Sequence, residues 1–370
     1  MNTIIYIGGF ELPDKNAAAQ RVISNAKALS ELGYKIVLVD IDRSSTKNIL
    51  ETQSECFGFT RYSMRYTNKR LTSIDDFVSV VDCYKTDKIK VIAYNYPGIA
   101  LWKMHRYCKN KGLLLYADCT EWYGMLGDNV IKRLIKGGDS FIRMNIVQPK
   151  LDGMIAISRY LENFYKDKLP TICIPPLTDI TEGKWKEEEF EKHDGIRIVY
   201  AGNPGKHKDK INRIIEALSK IDLEVVQLFI VGISKNQFLE YYPEDKILLE
   251  SLGEKVCFKG RISHEEVIHM LKQADFSMFY RDITRVTMAG FPTKFSEAIT
   301  CGTPVITNRT SDLEEYLIEG KNGYWVTDDL VNSFKKIISQ NSHEEIRSLV
   351  DRQLFDYHNY LKKMKSLFCI

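Results

Sequence analysis

The sequence lacks a strong charge of either sign. Its 52 lysines and arginines are nearly balanced by 49 acids, and the net charge is only +3, which gives no indication of the strongly basic face that bulk nucleic-acid binding needs. It also lacks any apolar run as long as a membrane span. The first eight residues predict a strand, and they show no charged leader or cleavage site of a signal peptide. We therefore expect a cytoplasmic protein.

Regular cysteine spacing is also missing. The eight cysteines include no C-x-x-C pair, and several lie in apolar runs, such as Cys173 between Ile172 and Ile174. This pattern is typical of reduced core residues and argues against a disulfide framework or a zinc site. With 370 residues, 44% of them hydrophobic, the chain is long enough for two domains that each bury a core.

Strand-like and helix-period segments alternate along the chain, which predicts an α/β fold with parallel strands and crossover helices. In the first half the predicted strands are Ile4–Gly8, Ile36–Ile41, Val91–Tyr94, Leu113–Asp118, Gly153–Ser158 and Thr171–Pro175. In the second half they are Ile196–Gly202, Val225–Val231, Val256–Lys259, Phe276–Tyr280 and Val305–Thr307. We expect two doubly wound, Rossmann-like domains that face each other across a cleft.

A polar, charge-dense passage separates the two series of strands. We assign residues 1–178 to a first domain, 179–195 to an interdomain connection and 196–343 to a second domain. An edge loop is the alternative for 179–195. The helical tail, 344–370, either reaches back to the first domain or docks on its own domain.

The stretch Met288–Thr307 predicts a loop, a helix over Thr293–Thr300 and a buried strand. The first backbone N–H groups of such a helix have no intrahelical partner, and together with the helix dipole they favour a phosphate or pyrophosphate. Glu297, one turn further on, could accept hydrogen bonds from a ribose. An ordinary capped helix with a solvated Glu297 is the alternative.

Two glycine loops follow strands at the edge where open α/β sheets bind ligands. Gly8-Gly9 is not the G-x-G-x-x-G fingerprint, so a standard dinucleotide site is disfavoured. The second loop, Gly202-Asn203-Pro204-Gly205-Lys206, opens the second series. Its lysine is placed where a phosphate would approach.

Three features of the second half resemble the nucleotide-binding domain of GT-B glycosyltransferases, in particular the large retaining group called family 4. They are the loop Ala201–Lys206, the strand end Phe258–Ile262 with the helix after it, and Gly290–Ala298 followed by Cys301–Ile306. The resemblance spans about 196–325. It implies a hexosyltransferase-like enzyme that uses a nucleotide sugar and retains the anomeric configuration.

One departure from the family pattern concerns its first glutamate. The family often has two glutamates separated by seven residues, and Ala289 stands in the first position, eight before Glu297. The chain therefore belongs to a subgroup that orients the sugar with other groups, or it has lost activity; we favour the subgroup.

Transfer from a nucleoside diphosphate requires preorganised cations and N–H donors at the departing diphosphate. Lys206, Arg281 and the helix start are the candidates for this catalytic role; surface salt bridges are the alternative for both side chains.

By family likeness the nucleobase lies against the turn Gly260-Arg261-Ile262, although Arg261 could equally be a plain surface residue. The predicted donor-binding residues are Gly9, Gly202, Asn203, Lys206, Arg261, Ile262, Arg281, Gly290, Phe291, Pro292, Thr293, Lys294 and Glu297.

The acceptor is expected at the first domain. Asp118 and Glu121 follow a buried strand beside Trp122 and Tyr123. Because carboxylates bind hydroxyls and aromatic rings stack on sugars, we predict that Asp118 or Glu121 positions, and deprotonates, the acceptor hydroxyl. A capping Asp118 and a core Trp122 are the alternative.

The sequence also bears on metal and membrane binding. Asp40-Ile41-Asp42 has the form of a D-x-D metal motif, but we interpret it as a structural turn, and we expect neither a metal nor a cofactor beyond the nucleotide sugar. The basic, amphipathic segment 130–144 suits contact with the inner face of a membrane, where a lipid-linked acceptor would be presented; a core helix with a solvated basic face is the alternative. Residues 61–70 form a second basic patch, and the same two interpretations apply to it.

The predicted function is glycosyl transfer to a glycan or a lipid-linked glycan in the synthesis of cell-surface polysaccharide. Two alternatives remain open. One is an epimerase of GT-B-like fold that acts on the nucleotide sugar, and the other is a non-catalytic partner that keeps the fold.

Overall fold

The computed structural model describes residues 2–13, 16–122, 130–205, 208–221, 226–339 and 343–368. The chain divides into two compact units. The first unit consists of Met1–Leu177, Met288–Phe291 and Tyr357–Ile370, and the second of Thr178–Thr287 and Pro292–Asp356. Residues 179–195, predicted as a connection, thus lie within the second unit, where Trp185 is buried. Of the tail, only the part from Tyr357 onward lies in the first unit.

The first unit contains an eight-stranded sheet in the order β3-β4-β2-β1-β5-β6-β7-β8. Its strands are parallel except for the β3/β4 pair. Their bounds are Asn2–Gly8 (β1), Lys35–Asp42 (β2), Ser54–Cys56 (β3), Phe59–Arg65 (β4), Lys88–Tyr94 (β5), Leu114–Cys119 (β6), Gly153–Ala156 (β7) and Thr171–Cys173 (β8).

Helices connect these strands and pack on the sheet. They are Ala17–Glu31 (α1), Asp75–Asp82 (α2), Gly98–Lys111 (α3), Val130–Phe141 (α4), which continues as a π-helix over Ile142–Val147, and Arg159–Tyr165 (α5). Asn16 begins α1 by accepting hydrogen bonds from the amides of Ala18 and Ala19. The apolar face of α1 forms one core cluster with β1, β2 and the C-terminal residues Leu367 and Phe368.

The second unit contains a six-stranded parallel sheet in the order β11-β10-β9-β12-β13-β14. Its strands are Ile196–Ala201 (β9), Val226–Val231 (β10), Val256–Gly260 (β11), Phe276–Met278 (β12), Val305–Thr307 (β13) and Gly323–Trp325 (β14). The remaining helices are Ile211–Ser219 (α6), Lys235–Tyr241 (α7), Lys246–Leu252 (α8), His264–Lys272 (α9), Arg285–Ala289 (α10), Thr293–Thr300 (α11), Leu330–Ser339 (α12), His343–Ser348 (α13) and Leu361–Phe368 (α14). Of these, α14 lies in the first unit.

Short 3-10 helices occupy several of the connections. They are Ile49–Thr52, Asn68–Leu71, Gln148–Lys150, Gly183–Trp185, Pro243–Asp245, Gly253–Lys255, Leu313–Glu315 and Tyr357–Tyr360.

The predicted α/β fold with two Rossmann-like parallel sheets is confirmed, and each predicted strand appears with small shifts of its ends. The prediction missed β3, β4 and β14. Each of these strands lies at or next to a sheet edge, where few residues are buried and the apolar pattern is weak.

Candidate functional site

The carboxyl edge of the second sheet brings several predicted donor-binding residues together. Strands β9 and β12 are parallel neighbours, so the loop after β9 and the segment after β12 leave the sheet at the same edge. Gly202 follows β9, and Arg281 lies three residues beyond β12. The sequence predicted this placement, because both residues follow predicted parallel strands, whose carboxyl ends share one sheet edge.

A buried ion cluster lies at this edge and is centred on Asp209, which is not among the predicted site residues. Its carboxylate accepts from Arg281 Nε at 2.7 Å, from the Tyr200 hydroxyl at 2.6 Å and from Lys294 Nζ. The exposed fractions are 1% for Asp209, 3% for Arg281 and 7% for Lys294. Arg281 is therefore in a buried ion pair, and the surface salt bridge considered as its alternative is wrong.

The cluster contains two cations and one carboxylate. Burial and the neighbouring charges act in opposite directions on the pKa values of Asp209 and Lys294. Burial works to raise the pKa of Asp209, but Lys294 and Arg281 outweigh it and hold the pKa well below its usual range. Burial, reinforced by Arg281 and opposed by Asp209, lowers the pKa of Lys294 to about 8. Lys294 thus keeps its charge at neutral pH but loses its proton more readily than an exposed lysine.

The Lys294 ammonium lies beside Gly202. Gly202 has a φ of +121°, and a Cβ placed on it would lie 3.6 Å from Lys294 Nζ. Any other residue at this position would be strained by the positive φ, and its Cβ would lie in van der Waals contact with the ammonium. An anion could therefore approach Lys294 over the exposed backbone of Gly202.

Helix α11 begins beside this cluster, with the bounds that the sequence predicted. Pro292 stands at its N-cap position, and among the described residues no side chain caps that end. Phe295 N donates to Pro292 O at 2.9 Å, which closes the first turn. The capped helix considered as the alternative is not observed, and the amino end of α11 keeps the dipole that favours an anion.

Glu297 lies one turn into α11 and is paired with a histidine. Its Oε1 lies 3.4 Å from His264 Nε2, and the two side chains are 16% and 20% exposed. The His264 ring in turn meets the ring of Trp185 edge-on at 6.2 Å. Glu297 is thus a half-buried hydrogen-bond acceptor fixed by His264, and not the solvated carboxylate considered as the alternative. The sequence did not predict His264 as a site residue, because its partner Glu297 is distant in sequence.

The other predicted donor-binding residues are placed as follows. Arg261 is exposed and Ile262 half-buried in the turn after β11. The Asn203 side chain accepts from Gly205 N at 2.9 Å, which shapes the loop after β9. Gly290 and Phe291 lie in the first unit, as does Gly9. Lys206, a predicted catalytic residue, lies outside the described residues.

Asp118, predicted to position or deprotonate an acceptor, is a buried structural anion. It is 0% exposed and accepts from Arg21 Nη2 at 2.8 Å, and also from the Tyr6 hydroxyl. Arg21 is itself 2% exposed and donates to Ile174 O at 2.9 Å. The carboxylate therefore ties α1 to the sheet, and it has no exposed surface with which to take a proton from a substrate.

Glu121 remains the better placed of the two predicted carboxylates, since its side chain is half-buried and not enclosed. Its backbone carbonyl accepts from Arg143 Nη2 at 3.1 Å. Trp122 packs edge-on against Phe164 with ring centroids 5.0 Å apart, which matches the packing role considered as the alternative for this tryptophan. Tyr123 lies outside the described residues.

The D-x-D sequence lies within β2 and not in a turn. Asp40 accepts from the amides of Phe10, Glu11 and Leu12 at 3.0, 2.8 and 2.6 Å, so its carboxylate shapes the loop after β1. Arg61, from the second basic patch, pairs with Asp40 at 3.3 Å. Within the described ranges, no group of three or more His, Cys, Asp or Glu residues is arranged to hold a metal ion.

The part of the chain that the structure describes contains no helix with the length and apolar character needed to cross a bilayer. A model of the family glycosyl transferases group 1 matches residues 181–353 of this chain. Solved structures that are similar to the whole chain place its fold in the GT-B type.

Individual relatives are distant in sequence. An uncharacterized glycosyltransferase of Methanocaldococcus jannaschii is 23% identical over 309 residues, 75% of this chain and 83% of that protein. Sucrose-phosphate synthase of Thermosynechococcus elongatus has a TM-score of 0.74 at 17% identity, over 100% of this chain and 98% of the other. HepE of Anabaena, solved with UDP and glucose, has a TM-score of 0.69 at 15% identity, over 99% of both chains.

Proposed function

We propose that this chain is a glycosyltransferase that moves a sugar, of the hexose type, from a nucleoside-diphosphate sugar to a glycan or lipid-linked glycan. The observation that carries the proposal is the Asp209 cluster, which places Lys294 beside the bare backbone of Gly202. A carboxylate holding two cations leaves a net positive charge at a sheet edge where phosphates bind in α/β folds. The group 1 domain and the UDP held by HepE support the same assignment.

In this proposal the diphosphate lies over Gly202 and the amino end of α11. Lys294 neutralises charge that builds on the departing diphosphate, and Arg281 fixes Asp209 and thereby the position of Lys294. Glu297 accepts hydrogen bonds from the ribose hydroxyls. We further propose that the reaction is metal-independent, because Lys294 and the helix dipole supply positive charge, and that it retains the anomeric configuration, as the motif resemblance implies.

In this proposal the acceptor binds to the first unit, and the Glu121 carboxylate contacts the acceptor hydroxyl. Ala289, which replaces the first glutamate of the family pattern, is fully buried, and its carbonyl accepts from Ser158 Oγ at 2.7 Å. Groups other than a carboxylate at 289 therefore orient the transferred sugar. A lipid-linked acceptor would place the enzyme in cell-surface polysaccharide synthesis.

The proposal is tested by incubating the protein with a panel of UDP-, GDP- and ADP-sugars without an acceptor. We expect one base to stabilise the protein against heat and its sugar nucleotide to be slowly hydrolysed. If no nucleoside diphosphate binds in calorimetry, the proposal fails.

Removing the Glu297 carboxylate is expected to weaken nucleoside diphosphate binding specifically. A Glu297→Ala variant should lose about 10- to 100-fold in affinity for the nucleoside diphosphate, since a hydrogen bond to a charged group is lost. Its affinity for inorganic pyrophosphate, which has no ribose, should stay the same. Glu265→Ala, which removes an exposed carboxylate of the same unit, is the control; equal losses for both ligands would place Glu297 elsewhere.

The lowered pKa of Lys294 predicts a pH dependence of binding. Below its pKa of about 8 Lys294 carries its charge before an anion arrives, whereas above it binding requires proton uptake. Affinity for the nucleoside diphosphate should therefore fall by up to about tenfold per pH unit above this pKa. Calorimetry at several pH values measures the slope, and Lys294→Met should remove it; a slope that persists in the variant contradicts this assignment.

A further inference from the structure

Helix α4 of the first unit carries an unusual amount of exposed apolar surface. Leu134 is 61% exposed, Ile135 62% and Phe141 59%. Arg133 and Lys136, on either side of the aliphatic pair, are exposed as well. Because four consecutive helical residues cover about 300° of the helix circumference, this turn projects from the unit instead of packing on its core.

The helix is nevertheless firmly anchored at its C-terminal end. Gly98, the first residue of α3, donates its amide to Asp139 Oδ1 at 2.7 Å, and a Cβ on Gly98 would come within 2.9 Å of Asp139 O. Arg143, in the π-helix that continues α4, is 1% exposed and bonded to the carbonyl of Glu121. The projecting turn is therefore presented on a fixed support and at a defined angle to α3.

Basic side chains accompany the apolar ones on both helices. On α3 the exposed positions include Trp102, 44% exposed, and Lys103 and Arg106. The Arg106 guanidinium lies 5.3 Å from the Trp102 ring. The carboxylate of Asp139 accepts from the Gly98 amide, and its single negative charge is outnumbered by the exposed lysines and arginines of the two helices. Exposed aliphatic and aromatic side chains among cations match the interface of an anionic bilayer, where apolar groups enter the headgroup region and lysines and arginines meet phosphate.

We propose that α4 and the exposed positions of α3 form a docking surface for an anionic lipid bilayer. Leu134, Ile135 and Phe141 insert below the headgroups, and Lys136 and Arg106 bind the lipid phosphates. This surface goes beyond the proposed transfer reaction and lies in the unit to which that proposal assigns the acceptor. Binding is reversible, because one turn of apolar side chains with a few cations gives limited membrane affinity.

Vesicle co-sedimentation of the full chain tests this surface. The protein should bind vesicles of phosphatidylcholine mixed with phosphatidylglycerol, bind pure phosphatidylcholine much less, and be released by salt. The Leu134→Glu/Ile135→Glu variant should lose at least about tenfold in partitioning, since two inserted side chains are removed. Ile247→Glu, at a position 78% exposed in the second unit, should bind as the parent does.

Other outcomes would overturn the proposal. Equal binding to charged and uncharged vesicles would mean that anionic lipid is not the ligand. Sedimentation velocity that shows a dimer broken by Leu134→Glu/Ile135→Glu, without vesicle binding, would mean that a second copy of the chain covers α4. Thermal stabilisation by the nucleoside diphosphate, measured on each variant, shows whether the fold is kept and tests the donor site independently of the membrane surface.

Discussion

A Lys294→Met variant is expected to lose about two to three orders of magnitude in turnover of the nucleotide sugar. This is the range found when one preorganised hydrogen-bond donor to a developing negative charge is removed from an active site. Its fold should survive. Removing one of the two cations leaves Asp209 paired with Arg281 and bonded to Tyr200, so no uncompensated charge is buried. Steady-state kinetics together with thermal unfolding measures both effects.

Lys272→Met is the matched control for this prediction. Lys272 is also a buried lysine of the second unit, 5% exposed, and its ammonium bonds to Glu188 at 2.6 Å. Because both substitutions remove an ammonium group from a buried lysine of the second unit, only the variant at the candidate site should lose turnover. If Lys294→Met keeps full turnover, Lys294 does not contact the diphosphate.

An Asp118→Ala variant is expected to lower the free energy of unfolding of the first unit by about 3–5 kcal/mol. The substitution leaves the Arg21 guanidinium buried without its carboxylate, and it also removes the acceptor of the Tyr6 hydroxyl. Because the chain has two units, hydrogen exchange of amides in β1 and β6 is a better measure than a single melting temperature.

Asp167→Ala, at an exposed position of the first unit, should change the stability by no more than about 0.5 kcal/mol. In a double-mutant cycle, Arg21→Met combined with Asp118→Ala should cost less than the sum of the single changes, because the two charges act as one unit. The opposite pattern, unchanged stability with lost turnover, would restore the catalytic role that the sequence predicted for Asp118.

Much of the fold could be predicted from local patterns. Helix α11 has the predicted bounds because its signals are local: Pro292 precedes it, and Gly302, with a φ of +77°, ends it. Strand β4 was missed because only its last half is buried, and its sequence mixes polar with apolar residues. The pattern of Phe59, Tyr62 and Met64 after the turn at Gly58 was the available signal.

Two aspartates, Asp118 and Asp209, show where prediction failed. Asp118 stands beside aromatic residues in the sequence, which suggested an acceptor site, but the fold brings Arg21 from α1 against it. Asp209 follows Lys206-His207-Lys208 in the sequence, and helix α6 begins two residues later, at Ile211. Its partners Arg281 and Lys294 lie 72 and 85 residues away in the sequence. A sequence pattern does not specify which side chains such distances bring together.

The sequence by itself determined the alternation of strands and helices, the two parallel sheets and the edge of the second sheet at which Gly202, Arg281 and Lys294 are placed. These features follow from periodicity and turn residues within short windows. Only the tertiary structure decided which carboxylates are buried with cations, namely Asp118 with Arg21 and Asp209 with Lys294 and Arg281. The reason is physical: whether a charge is solvated or buried depends on residues distant in sequence that packing brings within a few ångströms of it.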